Sequence, residues 1–335
     1  MSFATHPSAA SAASDTAAAA RHSPPADPDM PKPTLPTLPH LPHRPRLLSL
    51  LGQRWRNIGT ALSFAVFGLG GLTLAFVAIP ALHVIGRVRS RRNPDLADGG
   101  IARADIAQRC ISASFRFYIR FMRALRVLDY GVENAGRLRE DEGTPLLVVA
   151  NHPSLLDYVF LAAHMPLCDC IVKESVATRN PFTRRLTRLA GYIPNHNAGQ
   201  LLEACRARLD QGRRILIFPE GTRSTPGQPV HLLRGAAHIA IRCRVPLRVV
   251  RITCEPPVLT KTHKWWETAP VRPFFHITVG EKIDITPYPE SADDPSAPAR
   301  SPGRAARLLT RRLRIALDPH SGKSTTHSST HSSTP

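Results

Sequence analysis

Between Ile58 and Ile85 the chain has no Lys, Arg, Asp or Glu and is dominated by Leu, Phe, Val, Ala and Gly. At 1.5 Å per helical residue such a stretch crosses a hydrocarbon core of about 30 Å. The pattern therefore predicts a membrane segment within residues 47–100. Gly68, Gly70 and Gly71 cluster in its middle, which suits a kink, close helix packing or a re-entrant hairpin. Arg44, Arg46, Arg54 and Arg56 lie on one side, Arg87, Arg89, Arg91 and Arg92 on the other. The positive-inside rule is then nearly tied, and a hairpin returning to the same face accounts for the tie. A second segment, 101–128, repeats Ile111, Phe115, Tyr118, Met122 and Leu125 at three- and four-residue steps. Arg109, Arg116, Arg120 and Arg123 follow a different stripe. This is a basic amphipathic helix. It rests on an anionic membrane surface or packs on the domain with its basic face in water.

Further along, short apolar runs alternate with helical patterns. The runs predict strands at Leu146–Ala150, Cys170–Lys173, Arg214–Phe218, Leu247–Thr253 and Phe274–Val279. Helices are expected at Ser154–His164, Asn180–Leu189, Gly199–Leu209, Leu232–Arg242 and Arg304–Leu317. Strands alternating with helices of ten or so residues indicate an α/β fold with a central, mostly parallel sheet flanked by helices. The expected organisation has a Pro/Ala/Ser-rich disordered tail over 1–46 and the membrane segment over 47–100. A domain over 101–317 follows, with the amphipathic helix at its start, and then a disordered Ser/Thr/His tail over 318–335.

Charge narrows the partners without choosing one. The 335 residues contain 44 Lys and Arg against 25 Asp and Glu, a net charge of +19. That excess favours nucleic acid, anionic lipid or an acidic carrier protein. Nothing resembles a nucleic-acid motif, and a membrane-length segment argues against that partner. Six cysteines without CxxC pairs or histidine clusters support neither zinc nor dithiol chemistry, so no metal is expected and the thiols read as reduced. Trp265 and Trp266, beside Lys261 and Lys264, either anchor a loop among headgroups or cover the core.

Candidate chemistry centres on Asn151-His152-Pro153-Ser154-Leu155-Leu156-Asp157, directly after the apolar run 145–150. Pro153 stands where a helix can begin, its missing N–H costing nothing in the first turn. A histidine at a strand-to-helix junction, with a carboxylate about one turn on, can hold one ring nitrogen and offer the other to a substrate. A second block, Phe218-Pro219-Glu220-Gly221-Thr222-Arg223-Ser224, also follows a predicted strand. Ligands collect at the carboxyl ends of parallel strands, so the two blocks can share one crevice. Gly221 permits close backbone approach, and Arg223 offers a bidentate fork for phosphate. Ser154 lies outside any GxSxG elbow, which disfavours a covalent serine mechanism.

These two blocks resemble the lysophosphatidate (1-acylglycerol-3-phosphate) acyltransferase family, marked by a histidine and an aspartate separated by four residues and a later Phe-Pro-Glu-Gly-Thr-Arg block. The likeness covers about 128–284, including Gly191-Tyr192-Ile193-Pro194 and Val245-Pro246-Leu247. It implies His152 as general base, Asp157 as its orienter, and Glu220, Gly221, Thr222 and Arg223 as acceptor-binding residues. It also implies acyl-CoA or acyl carrier protein as co-substrate, without a bound cofactor. Membrane lipids would be the partners and the inner membrane the location, with the domain on the cytoplasmic side. The chain departs from the family where its middle motif usually ends in arginine. Here Asn195 and His196 stand, able to hydrogen-bond an acceptor but without a permanent charge. The region Cys168–His196 also resembles divergent relatives from aryl-polyene lipid clusters. Acylation of a non-phosphate lipid or polyene-type acceptor is thus the alternative, and a non-catalytic lipid-binding membrane protein a second.

Overall fold

The computed structural model describes residues 46–92, 100–226, 228–264, 266–288 and 303–318. The expected tails, apart from Arg46 and Asp318, lie outside the described residues, as does Trp265. Helix α1 (Arg46–Thr73) passes through a π-helical turn (Leu74–Ala78) into α2 (Ile79–Arg92). Then come α3 (Gly100–Ala124), β1 (Asp129–Glu133), α4 (Gly136–Glu140), β2 (Leu146–Ala150), α5 (Asp157–His164), β3 (Asp169–Lys173) and α6 (Glu174–Thr178). The chain continues through α7 (Pro181–Leu189), β4 (Ile193–Asn195), α8 (Ala198–Leu209), β5 (Arg214–Ile217), α9 (Gly235–Cys243), β6 (Leu247–Glu255), β7 (Phe274–Ile283) and α10 (Arg304–Leu317).

The strands form one seven-stranded sheet in the order β1-β7-β6-β2-β5-β3-β4. Only β6 and β7 pair antiparallel. Alternation along the strands builds a core on each face. Leu146, Val148 and Ala150 of β2 face Tyr118 and Met122 of α3 and Phe160 of α5. Leu147 and Val149 face α8, α9 and α10 through Cys205, Ala237, Ile239, Leu309 and Leu313. Two strands had no sequence signal: β1 buries none of its residues fully, and β4 has three residues.

No reversal occurs inside the apolar segment. The helix is continuous over 46–92, and the chain returns antiparallel as α3. Trp55 Nε1 donates to Leu125 O at 2.9 Å, Phe67 stacks on Phe115, and His83 Nε2 meets Arg103 O at 3.0 Å. The glycine cluster serves close packing at one position. A Cβ on Gly71 would fall 2.4 Å from Phe182 Cζ of α7, whereas one on Gly68 or Gly70 would meet nothing within 4 Å. The helical irregularity lies instead just before Pro80, which cannot donate to the preceding turn. Arg185 Nε supplies the missing donor, bonding Ala75 O at 2.7 Å while its guanidinium covers the Phe76 ring.

At the opposite edge of the strands a buried charge cluster ties the α4 loop to the sheet. Arg248 of β6 reaches both Asp141 oxygens, Nε to Oδ2 at 2.7 Å and Nη2 to Oδ1 at 2.9 Å; Lys282 adds a contact at 2.8 Å. Burial pushes the Asp141 carboxyl upward, but the hydrogen bonds and charges of Arg248 and Lys282 outweigh it and hold its pKa below the usual value. This contribution to stability is present above about pH 4 and lost as pH falls through the folded-state pKa. Asp141→Asn leaves Arg248 buried without its counter-charge. It is expected to cost about 3–5 kcal/mol, seen as a lower thermal midpoint with a flatter acid limb.

Candidate active site

Where β2 ends, Asn151 prolongs its pairing with β6 through a side chain. Its Nδ2 donates to Ile252 O at 2.8 Å, and Ile252 N–H donates to Oδ1 at 2.7 Å. The main chain is thereby free to leave the sheet, and His152 emerges at the carboxyl edge. Its backbone is held on both sides by the second block. The His152 N–H donates to Glu220 Oε1 at 2.8 Å, and the Ser224 N–H donates to His152 O at 2.7 Å. Ser224 Oγ donates to Glu220 Oε2 at 2.7 Å, closing the loop. The imidazole stacks on Phe218, centroids 4.4 Å apart and planes inclined by 25°.

His152 Nδ1 lies 2.9 Å from Asp157 Oδ2. An ionised carboxylate only accepts, so it fixes the hydrogen on Nδ1 and leaves Nε2 as the basic nitrogen. Asp157 Oδ2 also accepts the Ser154 N–H at 2.7 Å. The Leu155 N–H goes to Leu259 O at 3.1 Å. These donors are taken up outside any helix, so α5 starts at Asp157 rather than at the expected Ser154.

The pair is enclosed unequally: the His152 side chain is 20% exposed and that of Asp157 0%. Asp157 Oδ1 has no hydrogen-bond partner among the described residues. Burial pushes the Asp157 carboxyl up to about 6; the hydrogen bond and charge of His152 and the Ser154 N–H pull against this, and the charge of Glu220 adds to it. Its place at the first turn of α5 further favours the ionised form. The sign is opposite to that of Asp141. Stability is fully present below about pH 4 and falls as pH rises through about 6. Above that pH the fold holds an ionised carboxylate at an energetic cost.

The other expected site residues divide. Gly221 takes a left-handed φ of +68°, and a Cβ there would stand 3.1 Å from Leu233. Thr222 is exposed beside it. Arg223 is half-buried and turns Nη1 onto two main-chain oxygens, Leu259 O at 2.8 Å and Thr260 O at 2.9 Å. Its fork is thus partly spent on the β6–β7 connection. Asn195 and His196 are not brought against His152. Asn195 ends β4 and His196 follows it, three places from β2 in the sheet order, about 14 Å away at the usual strand spacing. His196 Nδ1 pairs with Glu174 Oε1 at 3.0 Å. Lys173, aligned with Asn195 across the β3–β4 pair, is an exposed cation one strand nearer. Its place at the end of a predicted strand was the available signal. Behind the turn 153–156 lies a largely apolar cavity of about 50 Å³, lined by Ser63, Phe64, Tyr118, Met122, Leu156 and Leu259 among others. All six cysteines are free thiols.

The sequence of residues 126–253, spanning both blocks, matches the family described as Acyltransferase. This segment is an acyltransferase-family domain. The chain is 31% identical over 134 residues to a 1-acyl-sn-glycerol-3-phosphate acyltransferase of Helicobacter pylori, covering 38% of this chain and 54% of the relative. It is 27% identical over 183 residues to the human 1-acyl-sn-glycerol-3-phosphate acyltransferase alpha, covering 52% and 56%. The chain thus spans about half the length of the curated relatives it matches. Its fold resembles the crystal structure of the 1-acyl-sn-glycerophosphate acyltransferase PlsC from Thermotoga maritima. The TM-score is 0.51 at 18% identity, covering 80% of this chain and 98% of that one.

If ionised Asp157 is what orients the His152 ring, acyl transfer is expected to fall on the acid side of about pH 6, following the Asp157 carboxyl. A kcat/KM profile from pH 5 to 8 reads this limb, and in Asp157→Asn the limb moves. Gly221→Ala forces a Cβ into the left-handed turn against Leu233. It is expected to lose roughly 1–3 kcal/mol in thermal or chemical unfolding.

Proposed function

We propose that this protein is a membrane-bound O-acyltransferase moving an acyl chain from acyl-CoA or acyl carrier protein to the hydroxyl of a lysophosphatidate-like lipid. The observation that carries this reading is the 2.9 Å contact between His152 Nδ1 and a fully buried Asp157, with the backbone of His152 fixed by Glu220 and Ser224. In the reaction Nε2 takes the acceptor proton as the hydroxyl oxygen attacks the thioester carbonyl. Asp157 stabilises the imidazolium that forms. The tetrahedral adduct collapses by breaking the C–S bond, and the thiolate leaves with the proton from Nε2. Glu220 holds the base, while Lys173 and the free nitrogens of Arg223 face the acceptor.

The lie of α1 and α2 supports membrane attachment. Leu51–Val88 is the one helical stretch among the described residues long and apolar enough to cross a bilayer. Its N-terminal end is tied to the domain by Gln53 to Thr268 and Arg56 to Ala269 O, and its far end by His83 to Arg103 O. Trp55 and His83 are about 42 Å apart along the helix; the first bonds Leu125 O just past the end of α3, the second Arg103 O near its start. A transverse span would drag the arginines of α3 through hydrocarbon. The helix therefore lies in the plane of one leaflet, exposing Leu62, Leu69, Leu72, Phe76, Val77 and Ile85. The expected near-tie of flanking arginines then needs no crossing, and the domain sits on the cytoplasmic side.

The second reading, a non-phosphate acceptor, is favoured by the pairing of His196 with Glu174 and by the use of Arg223 Nη1 on main-chain oxygens. His152→Ala is expected to cut acyl transfer by about 10²–10⁴-fold in a protein that still folds and binds membrane; retained turnover would refute the base assignment. Asn195→Arg and His196→Arg are expected to raise kcat/KM on lysophosphatidate selectively. No gain in either variant would show that a cation on β4 does not govern acceptor choice.

A further inference from the structure

We propose that Arg109, Arg116 and Arg120 of α3 form a rail for the anionic headgroups of the leaflet in which α1 and α2 lie; this rests on the one-leaflet reading above. The three sit at i, i+7 and i+11, one face of a helix over about 16 Å. All are exposed. None has a carboxylate or hydrogen-bond partner among the described residues. The nearby acids are committed elsewhere, Asp105 to Arg213 and Asp129 to Arg123 and Arg272.

What surrounds the rail selects its occupant. Helix α3 meets α1 and α2 through Tyr118, Arg103 O and Leu125 O. At 100° per residue these lie on the flank away from the three arginines. The outward ridge between the flanks carries Phe117, 61% exposed, stacked on Phe121 at 6.1 Å. Across the helix the order is therefore the apolar α1 surface, an aromatic ridge, then a row of unpaired cations. That order matches a leaflet's passage from hydrocarbon to anionic headgroup. A docking site for an acidic protein has no use for an exposed Phe117 between its cations and an apolar band.

Competitive capture tests the rail. Full-length protein is diluted from detergent into equal amounts of neutral phosphatidylcholine vesicles and vesicles containing 30 mol% (about one lipid in three) phosphatidylglycerol, then separated by flotation. Wild type is expected to favour the anionic vesicles. Arg109→Gln, Arg116→Gln and Arg120→Gln combined should reduce that preference on the order of a hundredfold, about fivefold per charge. The matching triple Arg→Lys variant should keep it. A control combining Arg304→Gln, Arg311→Gln and Arg314→Gln removes equal charge from α10, on the other face of the sheet, and should leave the preference within about twofold. Equal losses from the two glutamine triples would overturn the rail in favour of net charge alone. So would an unchanged preference in the α3 triple with a raised KM for acyl carrier protein, which would assign the stripe to that acidic partner. Equal capture of wild type by both vesicles overturns the rail but not the leaflet attachment, whereas capture by neither overturns both.

Discussion

Glu220 is the constraint on which the site depends. One oxygen receives the His152 N–H and the other the Ser224 hydroxyl, while the Ser224 N–H closes on His152 O. Two strand ends are thereby fastened at the carboxyl edge without lengthening either strand. His152 is held through its main chain and its ring is set by Asp157 and Phe218. Orientation fixed before substrate arrives is what general-base catalysis gains from a rigid site. A carboxylate with both oxygens engaged inside the protein is a framework element as much as a ligand.

The same turn is braced from a direction that no motif announces. Leu259 O receives the Leu155 N–H and the Arg223 guanidinium, so the β6–β7 connection straps both blocks together. Further along that connection, Thr268, Ala269 and Pro270 hold Gln53 and Arg56 of α1. One loop therefore joins the long apolar helix to the turn that carries His152.

How much could be read from the chain follows from where its information is local. β2 and α10 have the expected bounds, because unbroken apolar runs and a steady helical stripe are short-range patterns. The crevice shared by His152 and Glu220 was legible too, since each directly follows such a strand. The start of α5 was not. It depends on Leu259, a partner about a hundred residues distant in sequence, accepting the Leu155 N–H. β1 escaped notice because its five half-buried or exposed residues carry no alternation. Arg223 was read as a free fork for phosphate. Residue type gives its donors but not the two carbonyl oxygens that Nη1 meets.

The π-helical turn in the long N-terminal helix has a geometric consequence. Phe67 stacks on Phe115 of α3, and Gly86 faces the same helix, where an added Cβ would stand 3.9 Å from Ile106 Cδ1. Phe67 and Gly86 are nineteen positions apart, one more than the eighteen that complete about five turns of α-helix. In an unbroken helix they would point roughly 100° apart, and one would turn away from α3. The wide turn at Leu74–Ala78 absorbs the surplus residue and restores the phase. An apparent defect thus acts as a vernier between two rigid helices, keeping both halves of a long rod seated on a single neighbour.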